Sequence, residues 1–341
     1  MSMAVLQRQK RKQRLDRGIK VRSDGIYAIA SFREIAYLIG PRLALIFGLL
    51  LAPVLIRSLY WQKVISNAAV YALLALSFDF LANYVGLVSL GGALFTGVGA
   101  YIAGVLNTSL GLPALLTIPV STLAGAALST ILLLPVMPLR GVYFAIATLM
   151  YPLLFERIIA AANILGGTEG LTGLDPLPGL AVENYLPIIG LLIALFALRR
   201  LVNSDTGLIF RAVKDNDQSV RASGINITAQ RAKAVFIASA IGCFAGAYVA
   251  HLYSWAGMSS FALDFSILPI AATVVGGSGT LAGPILGSFV LSPLSEVLRN
   301  FGTLRIVFYS LVIVLFIVYR SEGVMNFLQR KYEQFEQWVE V

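Results

Sequence analysis

The chain has 341 residues, 58% of them hydrophobic and 13% charged, against about 25% charged in a soluble domain, which excludes an ordinary cytosolic enzyme. A single Cys, Cys243, permits no internal disulfide, and a single His, His251, excludes a His-rich metal site or a Ser-His-Asp triad with a spare imidazole. The net charge of +9, from 26 Lys and Arg against 17 Asp and Glu, would suggest nucleic acid on a soluble protein; here the placement of the charges matters more than their sum.

Eight Lys and Arg precede Ser23 and no apolar run begins before Pro41, so the start of the chain does not read as a cleavable signal peptide. Residues 1–40 form a basic cytoplasmic tail suited to anionic lipid rather than nucleic acid, and Gly25 to Ile39 has the mixed composition of an interfacial helix. A membrane helix needs about 20 mostly apolar residues. Ten such runs follow, near 41–58, 63–83, 87–108, 112–136, 141–162, 185–199, 232–253, 264–277, 281–298 and 303–319. The eighth is short and ends in Gly, so 264–298 also reads as one re-entrant element, and the expectation is an all-α polytopic bundle of eight to ten spans. A transmembrane domain over 41–320 and a cytoplasmic tail over 321–341 complete the division.

With both termini inside, the inner segments hold ten Lys and Arg up to Arg42, then Arg140, seven from Arg199 to Lys233, and three from Arg320 onward. The outer segments hold five, Arg57, Lys63, Arg157, Arg299 and Arg305, which is the bias the positive-inside rule demands. The outer loop from Asn163 to Asn184 carries Glu169, Asp175 and Glu183 and no cation.

Small residues mark close helix approach. Ala238, Gly242, Gly246 and Ala250 lie four apart on one face of the seventh span, which predicts packing within the chain or against a second subunit. Ala93, Gly97, Ala100 and Gly104 repeat the pattern in the third.

Two Gly-rich breaks, Gly86 to Tyr101 and Val274 to Pro284, are candidate walls of a substrate path, because irregular backbone at membrane depth must be buried in protein or line a cavity. The positions concerned are Gly86, Ser89, Gly91, Gly92, Gly97, Gly276, Gly277, Gly279 and Gly283. None of the seven lysines is followed by Ser or Thr, so neither break is a nucleotide-binding P-loop. Asp79 is the one plausible proton-relay acid; solvation at the inner end of its span, or a bond from Asn83, is the plainer reading. His251 reads as a hydrogen-bonded interfacial residue, not a ligand.

The inner loop over 203–231 is too short to be a domain. Ser204 or Asp205 can cap a helix from Thr206, with Leu208, Ile209 and Val213 facing one way and Arg211, Lys214, Asp215 and Asp217 wet, followed by a turn at Gly224. That is a docking knob for a cytosolic partner, or a solvated connector.

Five blocks in order, GLVSLGGALFTGVGAY (from Gly86), RGVYFAIATL (from Arg140), GGTEGLTGL (from Gly166), GLIFRAVKDNDQSVRASGINI (from Gly207) and VVGGSGTLAGPILGS (from Val274), resemble the permease subunits of branched-chain amino acid ABC transporters, of the type with the longer N-terminal region. The resemblance runs from about Asn67 to Val324 and implies a subunit of an ATP-driven importer in a bacterial or archaeal plasma membrane. Two cytosolic ATPase subunits, a related second permease and a periplasmic or extracellular substrate-binding protein are the partners it implies. ATP and Mg would serve those ATPases, with no cofactor, metal or catalytic residue in this chain. The same resemblance makes the loop the coupling element, with Gly207, Arg211, Ala212, Asp215 and Gly224 at the matching positions. Gly92 stands where the family usually has His, and Leu268 where it usually has Glu, so urea or short amides are alternative substrates to branched-chain amino acids. A secondary transporter working alone is the remaining alternative.

Overall fold

A computed structural model describes residues 46–51, 53, 56, 58–301, 310, 311, 314 and 323–326. The chain divides into two compact units, 1–48 and 49–341, and the second carries all that follows. The predicted basic tail and interfacial helix, half of the first span and almost all of the tenth lie outside the described residues.

The apolar runs close into helices because only intrasegment hydrogen bonds satisfy a backbone out of water. Helix α1 (Leu59–Asp79) continues as a π-helical turn, Phe80–Val85, and α2 (Gly92–Leu110) ends at Gly111, whose N–H donates to the Asn107 carbonyl. Pro113 opens α3 (Ala114–Leu133), which tightens into a 3-10 turn over Leu134–Val136, and α4 (Val142–Ala162) follows. Beyond them come α5 (Leu180–Val202), the short inner helices α6 (Asp205–Asp215) and α7 (Asp217–Ala222), and α8 (Ile227–Leu252), capped by the Asn226 side chain. A 3-10 turn, Met258–Phe261, leads into α9 (Asp264–Gly276), and α10 (Gly283–Val297) returns antiparallel to it. The one strand pair among the described residues joins β1 (Leu171–Thr172) to β2 (Trp255–Ala256), antiparallel.

Among the described residues, seven helices are long and apolar enough to cross a membrane: Leu59–Val85, Gly92–Leu110, Ala114–Val136, Val142–Ala162, Leu180–Val202, Ile227–Leu252 and Met258–Gly276. They match the second to eighth predicted spans, so the chain is a multi-pass helical membrane protein. The ninth predicted span corresponds to α10, whose 15 residues continue into a 3-10 turn, Leu298–Phe301. Residues 264–298 form two antiparallel helices, α9 and α10, joined by a Gly-rich loop.

Helices α1, α2 and α8 make the centre. Gly242 lies against Phe95, and a Cβ at Gly246 would stand 2.0 Å from the Thr96 carbonyl oxygen, so the small-residue face of α8 is filled by α2 of the same chain. Ala250 packs with Ala100, Leu174 and Ala256 at one end of that seam, and the Ala238 carbonyl accepts from Ser77 Oγ at 2.9 Å nearer the other. Thr273 Oγ1 likewise donates to the Ala75 carbonyl at 3.2 Å, tying α9 to α1. Such hydroxyl bonds join helices where no hydrophobic force acts between them.

Candidate functional site

The loop predicted to couple with a partner forms two helices, α6 and α7, broken at Asn216, whose side-chain oxygen accepts from the Gln218 and Ser219 N–H groups. Ser204 holds the N-cap position of α6, but its hydroxyl donates back to the Leu201 carbonyl at 2.6 Å instead of capping. The buried face also differs from the expected one. Gly207, Phe210 and Val213 are buried, while Leu208 is 67% exposed. Gly207 sits so close to the end of α5 that a Cβ would lie 2.3 Å from the Val202 carbonyl oxygen, and this turns α6 under the bundle. Ala212 packs on a small apolar cluster of Val213, Val220 and Ile227, which holds α6, α7 and the start of α8 together. Gly224 ends α7 at φ +78 with open space around it, and the following Ile225 N–H returns to the Val220 carbonyl, the left-handed helix termination that favours Gly.

Helix α6 docks on the π turn that ends α1. The Phe210 ring meets Phe80 edge-on at 5.9 Å, Arg211 lies 5.7 Å from the Tyr84 ring centre, and Lys214 Nζ donates to the Asn83 carbonyl at 2.8 Å. Lys214 also closes over Gly86, which takes φ +79 to leave the π turn. A π turn in a helix accompanies function often enough to single the segment out.

Asp79 lies at the centre of this junction and is fully buried, so the solvated reading of it is corrected. Its Oδ1 accepts from Asn83 Nδ2 at 2.7 Å, the bond expected from the sequence, and from the Gly279 N–H at 2.7 Å; its Oδ2 accepts from the Leu281 N–H at 3.3 Å. Tyr84 adds a bond from its hydroxyl to the Gly279 carbonyl at 2.7 Å. The two Gly-rich breaks thus meet at one end of the bundle through the π turn: Gly86 touches the α6 lysine, and the 277–281 backbone sits on the Asp79 carboxylate. One buried carboxylate ties the π turn to the 277–281 loop, and Lys214 on the Asn83 carbonyl adds α6, an arrangement whose members support one another in a low dielectric.

A second tie fixes the far side of α6. Asp217 Oδ2 accepts from Arg140 at 2.7 Å and lies 3.7 Å from Arg231, whose guanidinium also donates to the Met137 carbonyl at 3.0 Å. Gly86, Arg140, Lys214, Asp215, Asp217 and Arg231 line a cleft of about 290 Å³ between this pair of helices and the turn before α4.

The other predicted path positions pack closely. Gly92 faces the Phe265 carbonyl, Gly97 the Phe261 ring, and Gly276 the Gly283 backbone, while Gly91 donates to Ser89 Oγ. Gly277 and Gly279 belong to the loop between α9 and α10. At the opposite end, His251 is buried, with Nε2 at 2.5 Å from Thr117 Oγ1 and Nδ1 at 2.8 Å from the Asp175 carbonyl. No group of three or more His, Cys, Asp or Glu suited to a metal occurs among the described residues. Asn83, Tyr84, Lys214 and the Asp217 ion pairs were not singled out from the sequence as parts of a site; only the four-residue spacing of Asp79 and Asn83 hinted at them.

Residues 60–319 match the family model described as the branched-chain amino acid transport system permease component. The high-affinity branched-chain amino acid transport system permease proteins LivM of Salmonella typhimurium and of Escherichia coli K12 are each 25% identical over 317 residues, covering 81% of this chain and 74% of theirs. A probable branched-chain amino acid transport permease protein LivM of Methanocaldococcus jannaschii is 29% identical over 189 residues, 51% of this chain and 52% of its own. No solved structure matches the chain. The family model covers most of the chain, including every segment of the junction around Asp79, and the chain therefore belongs to the family of branched-chain amino acid transport permease components.

Proposed function

We propose that the chain is the permease subunit of an ATP-driven importer for branched-chain amino acids or related small polar solutes, in a bacterial or archaeal plasma membrane with both termini inside. The observation that carries this is α6: an amphipathic helix with Leu208, Arg211 and Asp215 presented outward and Phe210 and Lys214 anchored on the end of a spanning helix. Two cytosolic ATPase subunits dock on that outward face and supply the ATP and Mg chemistry, and no covalent step takes place in this chain. A second permease completes the path, a choice supported by a further 26% identity over 211 residues to a probable LivH permease of Methanocaldococcus jannaschii. An external binding protein delivers the solute, membrane lipid surrounds the bundle, and nucleic acid has no part.

Closure of the ATPases moves α6. The shift passes through Lys214 to the π turn and through Asp79 to the 277–281 loop, so α1 and the α9–α10 pair move together. The experiment is a pull-down from native membranes: two ATPases and a second permease are expected, and recovery of the chain alone under conditions that preserve complexes would favour a lone transporter. In the same assembly Gly224→Trp, forced into a left-handed backbone but meeting no neighbour, should insert normally and lose uptake relative to ATP hydrolysis. Uptake equal to the parent would refute the coupling role.

A further inference from the structure

At the end of the bundle away from α6, three helices enclose a small polar cavity of about 110 Å³, walled by Val64, Asn67 and Tyr71 of α1, Asp264 and Leu268 of α9, and Ser292, Ser295 and Glu296 of α10. Asn67 stands twelve residues before Asp79, about 18 Å along the helix, so this cavity and the α6 junction occupy opposite ends of α1. Polar groups gathered inside a membrane bundle are costly unless used.

One group there has no structural employment. Ser292 is 7% exposed and lines the cavity, yet its hydroxyl makes no hydrogen bond among the described residues. Its neighbour one turn earlier, Ser288, donates to the Pro284 carbonyl at 2.8 Å, and the buried Ser77, Ser239 and Ser266 all donate to backbone carbonyls. Asp264 makes no ion pair among the described residues and sits in the first turn of α9. The Glu296 carboxylate is oriented by the Tyr60 hydroxyl at 2.5 Å.

The Asp264 carboxylate and the spare Ser292 hydroxyl beside the apolar Val64 and Leu268 match a compact solute with an ammonium head and a short aliphatic body. We infer that this cavity is a binding site for the ammonium end of a small amino compound, with Asp264 and Ser292 as its principal contacts. The site rests on the importer reading and narrows it, because a neutral solute such as urea offers the Asp264 carboxylate no charge to pair with.

The test is uptake of labelled L-leucine by the complete complex in proteoliposomes, for the parent, Asp264→Asn and Ser292→Ala. The half-saturating concentration should rise tenfold or more for Asp264→Asn, equivalent to about 1.4 kcal/mol, and about threefold for Ser292→Ala. In the complex carrying Ser292→Cys, L-leucine should slow reaction with a small charged thiol reagent at least fivefold, while urea should not. A parent that imports leucine, with both variants unchanged and no protection of the thiol, would overturn the cavity and leave the importer standing. A parent that imports urea or a short amide and no amino compound would overturn the amino acid reading and the cavity with it.

Discussion

The two ends of the bundle are closed by different chemistry. At the α6 end a carboxylate, a lysine and an ion-paired aspartate hold helix ends and a Gly-rich loop, and one face of α6 is left open. At the other end the 163–179 loop is folded down on the helices by bonds directed mostly at backbone. Asn107 bonds Asp175 through both its amide groups, His251 meets the Asp175 carbonyl, Trp255 Nε1 donates to the Glu169 carbonyl, and β1 pairs with β2. The first end hangs on one buried carboxylate and a few more accessible charged groups whose partners are mostly turns, and the second on many short bonds around packed helix termini.

The contrast breaks most visibly at Asp79. Asp79→Ala orphans the Gly279 and Leu281 N–H groups and the Asn83 amide in a buried place, and should cost about 2–4 kcal/mol. The expected result is a lower unfolding midpoint in detergent, with faster hydrogen exchange over 205–222 and 277–281; exchange unchanged in α6 would dissociate Asp79 from α6. Next in size is Asn107→Ala, which removes bonds to Leu112 and Asp175 and should cost about 1–2 kcal/mol, measured by the same midpoint. Its exchange increase should be confined to the 163–179 loop and the end of α2, and spread to α6 would show that the two ends are not independent.

Smaller still is Asp217→Asn. Arg140 is largely exposed, so screening leaves about 1 kcal/mol at most, and the effect should shrink with added salt in a thermal melt. Lys214→Met should change stability least, since Lys214 is exposed, yet it should raise the number of ATP molecules hydrolysed per solute imported. An unchanged ratio would remove Lys214 from the transmission path and leave Phe210 on Phe80 as the contact to test.

Much of the bundle was legible because the signal is a long one. About 20 consecutive apolar residues admit few alternatives, and the observed ends of the second to eighth spans fall within a few residues of the predicted ones. Short elements were less legible. The π turn carries no residue pattern of its own. On α6 the choice between Leu208 and Phe210 as the buried residue depended on where Phe80 lay, which periodicity does not encode.

From residue order alone follow the helical class, the membrane setting, the small-residue face from Ala238 to Ala250 and the amphipathic loop between Asn203 and Arg231, all local properties of apolar run length and spacing. Tertiary structure alone decided that Asp79 meets Gly279 and Leu281, that Lys214 reaches Asn83, and that Asp264 and Ser292 share a cavity. Those pairings join residues up to two hundred positions apart, and a backbone N–H in a glycine-rich loop leaves no mark in the sequence to show which carboxylate will accept from it.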